Sequence, residues 1–461
     1  MKGNKTSLSR RDFLRLTGMT VAGSALLIGC APAQPAPSQA PQVAPTEPAA
    51  AAQPTAAPAK EAVTLSWWDS SLSEDEFRTI DPTVKKFNTL RPELPVEISH
   101  GADGTKFLTA VSGGTPPNVY WTYENWNYGS WINKGIVQSL DPFIQSSGMD
   151  LNRYLPTSIK SMTWQGKVYG MPLTGGASMT FWNKKACQDA GLNPEAGPAT
   201  LDDLQAATDK LMKKDDQGNI LVGPALISWH ITDLATNFGN HFWDPMPEKL
   251  TCTDQAMVDS FKWAATFYKH YGAEALDRFN ASLGEYNSPS NPFCMGNIPL
   301  TIDGEWLALV IRSRCTDTQF AFGEFPKATP QSGPLHPVQG ALPVLLPTGA
   351  KNPEQSWALI DYIMSTPASA AMSVGLVCNC MVADAVNDKA YAADPVLMFA
   401  LKYYQKDAEA FPMTLPIAGE YSTELSKAWD LVVHGSQTPE IALQEVYDRV
   451  QPSLDKALGK A

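Results

Sequence analysis

The chain has 461 residues, a formal net charge of −12 and seven cysteines. An acidic chain with no basic run past residue 15 is a poor partner for nucleic acid or anionic polymers, which select a cationic face. Roughly 400 residues follow the first sixty, enough for two lobes with sizeable cores.

The N-terminal sequence Ser9-Arg10-Arg11-Asp12-Phe13-Leu14-Arg15 leads into an uncharged segment from Leu16 to Gly29, followed by Cys30. Paired arginines ahead of such a segment mark a twin-arginine export signal, and the segment is shorter than the ~20 apolar residues a membrane span needs. Leu27-Ile28-Gly29-Cys30 resembles the lipobox of bacterial lipoproteins, which implies removal of residues 1–29 and lipidation of Cys30. From Ala31 to Lys60 the chain is almost entirely Ala, Pro, Gln, Ser and Thr, a composition that cannot bury a core. Residues 30–61 therefore read as a lipidated cysteine and an extended tether, placing the rest on the outer face of the cell membrane or in the periplasm.

Cys187, Cys252, Cys294, Cys315, Cys378 and Cys380 remain, an even number in an oxidising compartment, so up to three bridges are possible with their connectivity open. None has the C-x-x-C spacing of zinc or redox sites, and the six histidines are scattered, so no metal site is expected. Because twin-arginine substrates fold before export in a reducing cytosol, any bridge is expected as a late staple.

The predicted elements then alternate. Val63 to Trp68 reads as a strand, Phe77 to Thr89 as a helix ended by Pro92, and Val96 to Ser99 as a second strand. Phe107 to Val111 is helical up to Gly113-Gly114, and Asn118 to Trp121 is a third short strand. Further helices are predicted over Leu201 to Met212, Met257 to Tyr271, Pro353 to Met364 and Glu440 to Leu458. The order βαβαβ predicts an α/β fold with a parallel sheet, and ligands of such sheets bind beyond the carboxyl ends of the strands.

Two aromatic groups fall at that end. One is Trp67-Trp68-Asp69; the other runs from Tyr120 to Trp131, with six rings set among Glu, Asn, Gly and Ser. That spacing fits neither a core helix nor a core strand, whereas rings mixed with short polar groups suit a ligand with flat apolar faces and hydroxyl edges. Trp164, Trp243, Trp263, Trp357 and Trp429 sit in helical or apolar contexts and read as core.

The order of motifs resembles the family 1 extracellular solute-binding proteins, the maltose-binding-protein-like receptors of ABC sugar transporters. The resemblance rests on Thr64-Leu-Ser-Trp-Trp68, Phe87 to Ile98, Gly113-Gly-Thr-Pro-Pro-Asn-Val119, Ile132 to Asp141, Gly166 to Pro172, Thr180 to Lys184 and Gly435 to Val446. Asn118 stands where Asp is usual and Trp182 where Tyr is usual; the collinear order spans nearly all of the chain past the tether. It implies a two-lobed fold with a ligand cleft and hinge, carrying a sugar or oligosaccharide to a membrane permease, acting without a cofactor and as a monomer. It also implies site residues: Trp121 and Glu124 as a stacking ring and a hydroxyl acceptor, Asn125 beside them, and Trp306 with Glu305 in the Asp303-Gly-Glu-Trp306 turn of the second lobe. Tyr421 is implied as a further contact, and Trp68, Asp69 and Trp229 complete the candidate set. The lobes are expected to comprise residues 62–174 with 334–378, and 175–333 with 379–461, crossing at Thr174-Gly175-Gly176, where paired glycines permit large backbone changes.

The motifs of Ser hydrolases, P-loop enzymes, zinc proteases and dinucleotide-binding folds do not occur, so no catalytic residue is expected. An anchored carbohydrate-active enzyme, which would need two facing carboxylates, is the alternative from another class. A receptor for another polar solute, such as a quaternary ammonium compound, is the alternative within binding proteins.

Overall fold

The structure is a computed structural model that describes residues 63–224, 231–329, 336–405 and 408–460. The expectations for the export signal, Cys30, the tether and Trp229 lie outside the described residues.

The first strand, β1 (Leu65–Asp69), buries Leu65, Trp67 and Asp69 and leaves Ser66 and Trp68 half-buried, the alternation a pleated strand imposes. Helix α1 (Glu74–Leu90) starts three residues earlier than its apolar spacing suggests because Ser73 and Glu76 form a capping box, with Glu74, Asp75 and Glu76 favourably placed in its first turn. It buries Ile80, Val84 and Phe87. Strand β2 (Val96–Ser99), helix α2 (Gly104–Ser112) and strand β3 (Val119–Trp121) follow as expected, and β1 pairs in parallel with both β2 and β3.

The chain continues through a long strand β4 (Gly170–Asn183), helices α3 (Leu201–Leu211) and α4 (Gln255–Tyr271), strand β5 (Leu300–Gly304) and helix α5 (Leu307–Arg314). Strands β6 (Phe320–Gly323) and β7 (His336–Leu345), helices α6 (Pro353–Ile363) and α7 (Thr366–Leu376), and strand β8 (Asn379–Cys380) come next. Helices α8 (Pro395–Tyr404), α9 (Ala418–Val433) and α10 (Pro439–Ala457) complete the main elements.

The sheet is ordered β5-β4-β7-β3-β1-β2, with β6 and β8 also pairing with β4. It is mixed rather than all parallel: β7 runs antiparallel to both β3 and β4, and β5 antiparallel to β4. This α/β architecture has two apolar cores. One gathers the β1–β3 layer, much of β4, and α6 to α8; the other gathers α3, α4, α9 and α10 around Trp182, Leu300 and Ile302. Cys380 to Tyr404 pack into the first core, although the sequence reading grouped 379–461 with the second lobe. Trp357 and Trp429 are buried in the cores, as expected for apolar contexts.

Among the described residues one disulfide, Cys294–Cys315, is formed, while Cys187, Cys252, Cys378 and Cys380 are free and buried.

Candidate functional site

A cavity of about 570 Å³ opens where the carboxyl end of β3, the Gly175-Gly176 segment of β4 and the β5–α5 corner converge. It is lined by Tyr123, Asn125 and Trp126 after β3, Asp75 and Glu76 of α1, Asp303 and Trp306 at the corner, and Asp233, Tyr286 and Phe411 from loops and a helix of the second half.

Trp306 is set by its backing. A Cβ at Gly176 or at Gly304 would overlap the six-membered ring of its indole, so two glycines on adjacent strands make room for the ring against the sheet. Around it the polar groups are already oriented. The Tyr286 hydroxyl donates to Asp303 Oδ2 at 2.9 Å, Ser178 Oγ donates to Asp233 Oδ2 at 2.6 Å, and the Tyr123 hydroxyl donates to Glu76 Oε1 at 3.2 Å. Burial, with Asp303 beside it, pushes the Tyr286 hydroxyl well above its usual pKa, so it remains a donor. Arg314 pairs with Asp75 at 2.7 Å, joining α5 to α1. Rings that offer flat faces and carboxylates oriented by neutral hydroxyl donors together suit a polyhydroxylated solute.

The structure brings Trp306 and Asn125 of the sequence-predicted set into this cavity; Asn125 is buried and donates to the Gly340 carbonyl at 3.4 Å. Trp121 is a correction. It is fully buried in the first core on β3, pairing with Asp69 and Val344 on either side, and its indole N–H has no partner among the described residues. Tyr123, 5.0 Å away ring to ring, is the neighbour that lines the cavity.

Glu124 is also corrected. Its Oε1 accepts the Gly104 amide at 2.9 Å and its Oε2 accepts Asn127 Nδ2 at 3.1 Å, so it closes the first turn of α2 and lies off the lining. Asp69 is fully buried: Oδ2 faces His100 Nδ1 at 2.7 Å, Oδ1 accepts the Ser71 amide at 3.0 Å, and burial raises its pKa. It organises the chain leaving β1. Trp68 stands beneath the Lys106 ammonium, 4.9 Å from the ring centroid, away from the cavity. Tyr421 sits wholly in the second core with its hydroxyl donating to the Phe242 carbonyl at 3.1 Å; it supports Phe411, its ring neighbour at 5.6 Å.

Glu305 does not reach the cavity either. It is fully buried, Oε2 accepting the Ala177 amide at 2.7 Å and Oε1 the Asn379 amide at 2.9 Å. Burial is the main influence on its carboxyl and raises it to about 7, against the lowering effect of those amides.

Glu76, Tyr123, Asp233, Tyr286, Asp303 and Phe411 were missed. Tyr123 lies inside the aromatic stretch and Asp303 inside the quoted turn, so both carried a signal; Asp233, Tyr286 and Phe411 come from segments with no local pattern.

Residues 71–370 match the family described as bacterial extracellular solute-binding protein. The maltotriose-binding protein of Pyrococcus abyssi is 19% identical over 336 residues, 71% of this chain and 68% of that protein. Among solved structures, CpMnBP1 with mannotriose bound superposes with a TM-score of 0.71 at 22% identity, covering 84% of this chain and 99% of the other. UgpB from Mycobacterium tuberculosis in complex with glycerophosphocholine superposes at 0.69 and 18% identity, covering 86% and 99%. At such identities the structures establish a shared fold, and their ligands differ.

Proposed function

We propose that this chain, which belongs to the bacterial extracellular solute-binding proteins, captures a sugar or oligosaccharide in the cavity around Trp306 and passes it to an ABC transporter permease. The chain is a binding protein, not an enzyme. The observation that carries the sugar reading is the combination of Trp306, backed by two glycines, with the tyrosine-held carboxylates Asp303 and Glu76. Sugar C–H faces lie on such rings while carboxylates accept the hydroxyls.

Charge narrows the class. Asp75, Glu76, Asp233 and Asp303 face the cavity against one described cation, Arg314, which Asp75 already neutralises. An anionic solute would meet like charge there, so a phosphorylated ligand is disfavoured. The same acidic and aromatic lining supports the second reading, a quaternary ammonium solute.

Two further parts of the reading concern placement and motion. Arg10-Arg11 and Cys30 support export by the twin-arginine route and a lipid anchor. Gly175-Gly176, in a strand that enters the cavity lining, supports a hinge between lobes near Thr174–Gly176. The deciding experiment is calorimetric titration with maltotriose, mannotriose, sn-glycerol 3-phosphate and choline. Saturable binding of an oligosaccharide with no heat from the phosphate supports the reading; binding of glycerol phosphate alone overturns it.

A further inference from the structure

Glu305 is costly to keep where it is. A carboxyl removed from water loses several kcal/mol of hydration unless partners replace it, and its oxygens are met by two backbone amides. Those amides belong to different strands: Ala177 is in β4 and Asn379 in β8, while Glu305 itself ends the β5 turn and immediately precedes Trp306. The three meet where β7 shifts register against β4, between Gln339 and Leu342, and where the Tyr404 hydroxyl lies 2.9 Å from the Gly176 carbonyl and 3.0 Å from that of Gln339. Gly176, next to Ala177, is one of the two glycines against which the Trp306 ring rests. The carboxylate thus ties the residue before the indole to the residue after its backing.

We propose that Glu305 is a positioning residue for ligand capture, its carboxylate fastening the Trp306 corner to both β4 and β8 and so fixing where the indole stands in the cavity. The proposal rests on the reading of this cavity as the ligand site. An ionised carboxylate accepts both amides at once; its protonated form turns one oxygen into a donor facing an N–H, and one tie is lost. The groups that face Glu305 are Asp303 at the end of β5, Cys378 on the segment entering β8, and Tyr391 and Tyr404 from the helices above. With no described cation among them, the amides are its main support, and its titration falls near neutrality.

The test follows the indole N–H of Trp306 by NMR in the nitrogen-labelled protein, assigned by its disappearance in Trp306→Phe. In the unaltered chain that signal should move with one midpoint near pH 7, and in Glu305→Gln it should be displaced and no longer titrate, with faster hydrogen exchange at the Ala177 and Asn379 amides. Glu305→Gln should weaken maltotriose or mannotriose binding by about fivefold, as expected for one lost buried hydrogen bond, and by less than about twofold in a Trp306→Phe background. A Trp306 signal that is flat with pH in the unaltered chain overturns the proposal without any variant having to fold. An equal loss of binding in both backgrounds overturns it as well. If neither trisaccharide binds the unaltered chain, the functional reading fails, and the Trp306 signal still decides the role of Glu305.

Discussion

The rings of Trp121 and Tyr123 stand 5.0 Å apart, one sealed in the core and the other lining the cavity. Two residues separate a packing role from a contact role because β3 ends at Trp121: within the strand the backbone is flanked by β1 and β7 and the ring is packed into the first core, and the next ring falls on the loop beyond. Trp121→Ala should therefore cost about 3 to 5 kcal/mol of stability. Tyr123→Ala and Trp306→Ala should instead weaken ligand binding by about 1 to 4 kcal/mol, as aromatic anchors in interfaces do. Urea unfolding beside calorimetric titration separates the two; a Trp121→Ala protein that unfolds normally would return that ring to the cavity wall.

Glu124→Ala should lower stability by about 1 kcal/mol, because the α2 amide at Gly104 loses its acceptor. Its affinity for any sugar the protein binds should stay within about twofold, since variants off the contact surface perturb binding little. A large loss of affinity at unchanged stability would restore Glu124 to the ligand.

Glu305 also gives stability a pH dependence. Its carboxyl is raised from 4.5 to about 7 in the folded chain, so the folded state binds the proton more tightly than the unfolded state. The contribution is complete below the ordinary carboxyl range and is lost as pH climbs through about 7. Denaturant unfolding at pH 5 and pH 8 should show the unaltered chain losing more stability over that interval than Glu305→Gln; parallel changes in the two proteins would exclude it.

The Cys294–Cys315 bridge closes a loop of sequence separation 21 that contains Asp303 and Trp306. Loop-closure entropy assigns such a link about 3 kcal/mol. Replacing both cysteines by serine should lower the denaturation midpoint accordingly while the chain still folds, and failure to fold without the bridge would contradict its expected role as a late staple.

Much of this arrangement was legible in the order of residues, and the rest was hidden for definite reasons. The βαβαβ start, the helices over 201–212, 257–271 and 353–364, and Trp306 each depend on neighbours a few positions away, so local periodicity and turn motifs expose them. Glu305 was read as a contact because it adjoins Trp306, but its partners lie 128 and 74 positions off, and no local pattern announces them. Glu124 misled in the same way: an acid among rings fits a sugar acceptor, and the amide it caps is 20 residues earlier. The antiparallel insertion of β7 between β3 and β4 was equally invisible, since which strand fills that place is decided by tertiary pairing.

Strand β4 sends Met171, Leu173, Ala177, Met179 and Phe181 into the first core and Trp182 into the second. A single cut in a surface loop therefore cannot yield two self-sufficient fragments, because whichever piece keeps this strand deprives the other of part of its interior. Limited proteolysis should nick the molecule without releasing a stable half, and truncations ending on either side of residues 170–183 should be recovered as insoluble or degraded chains.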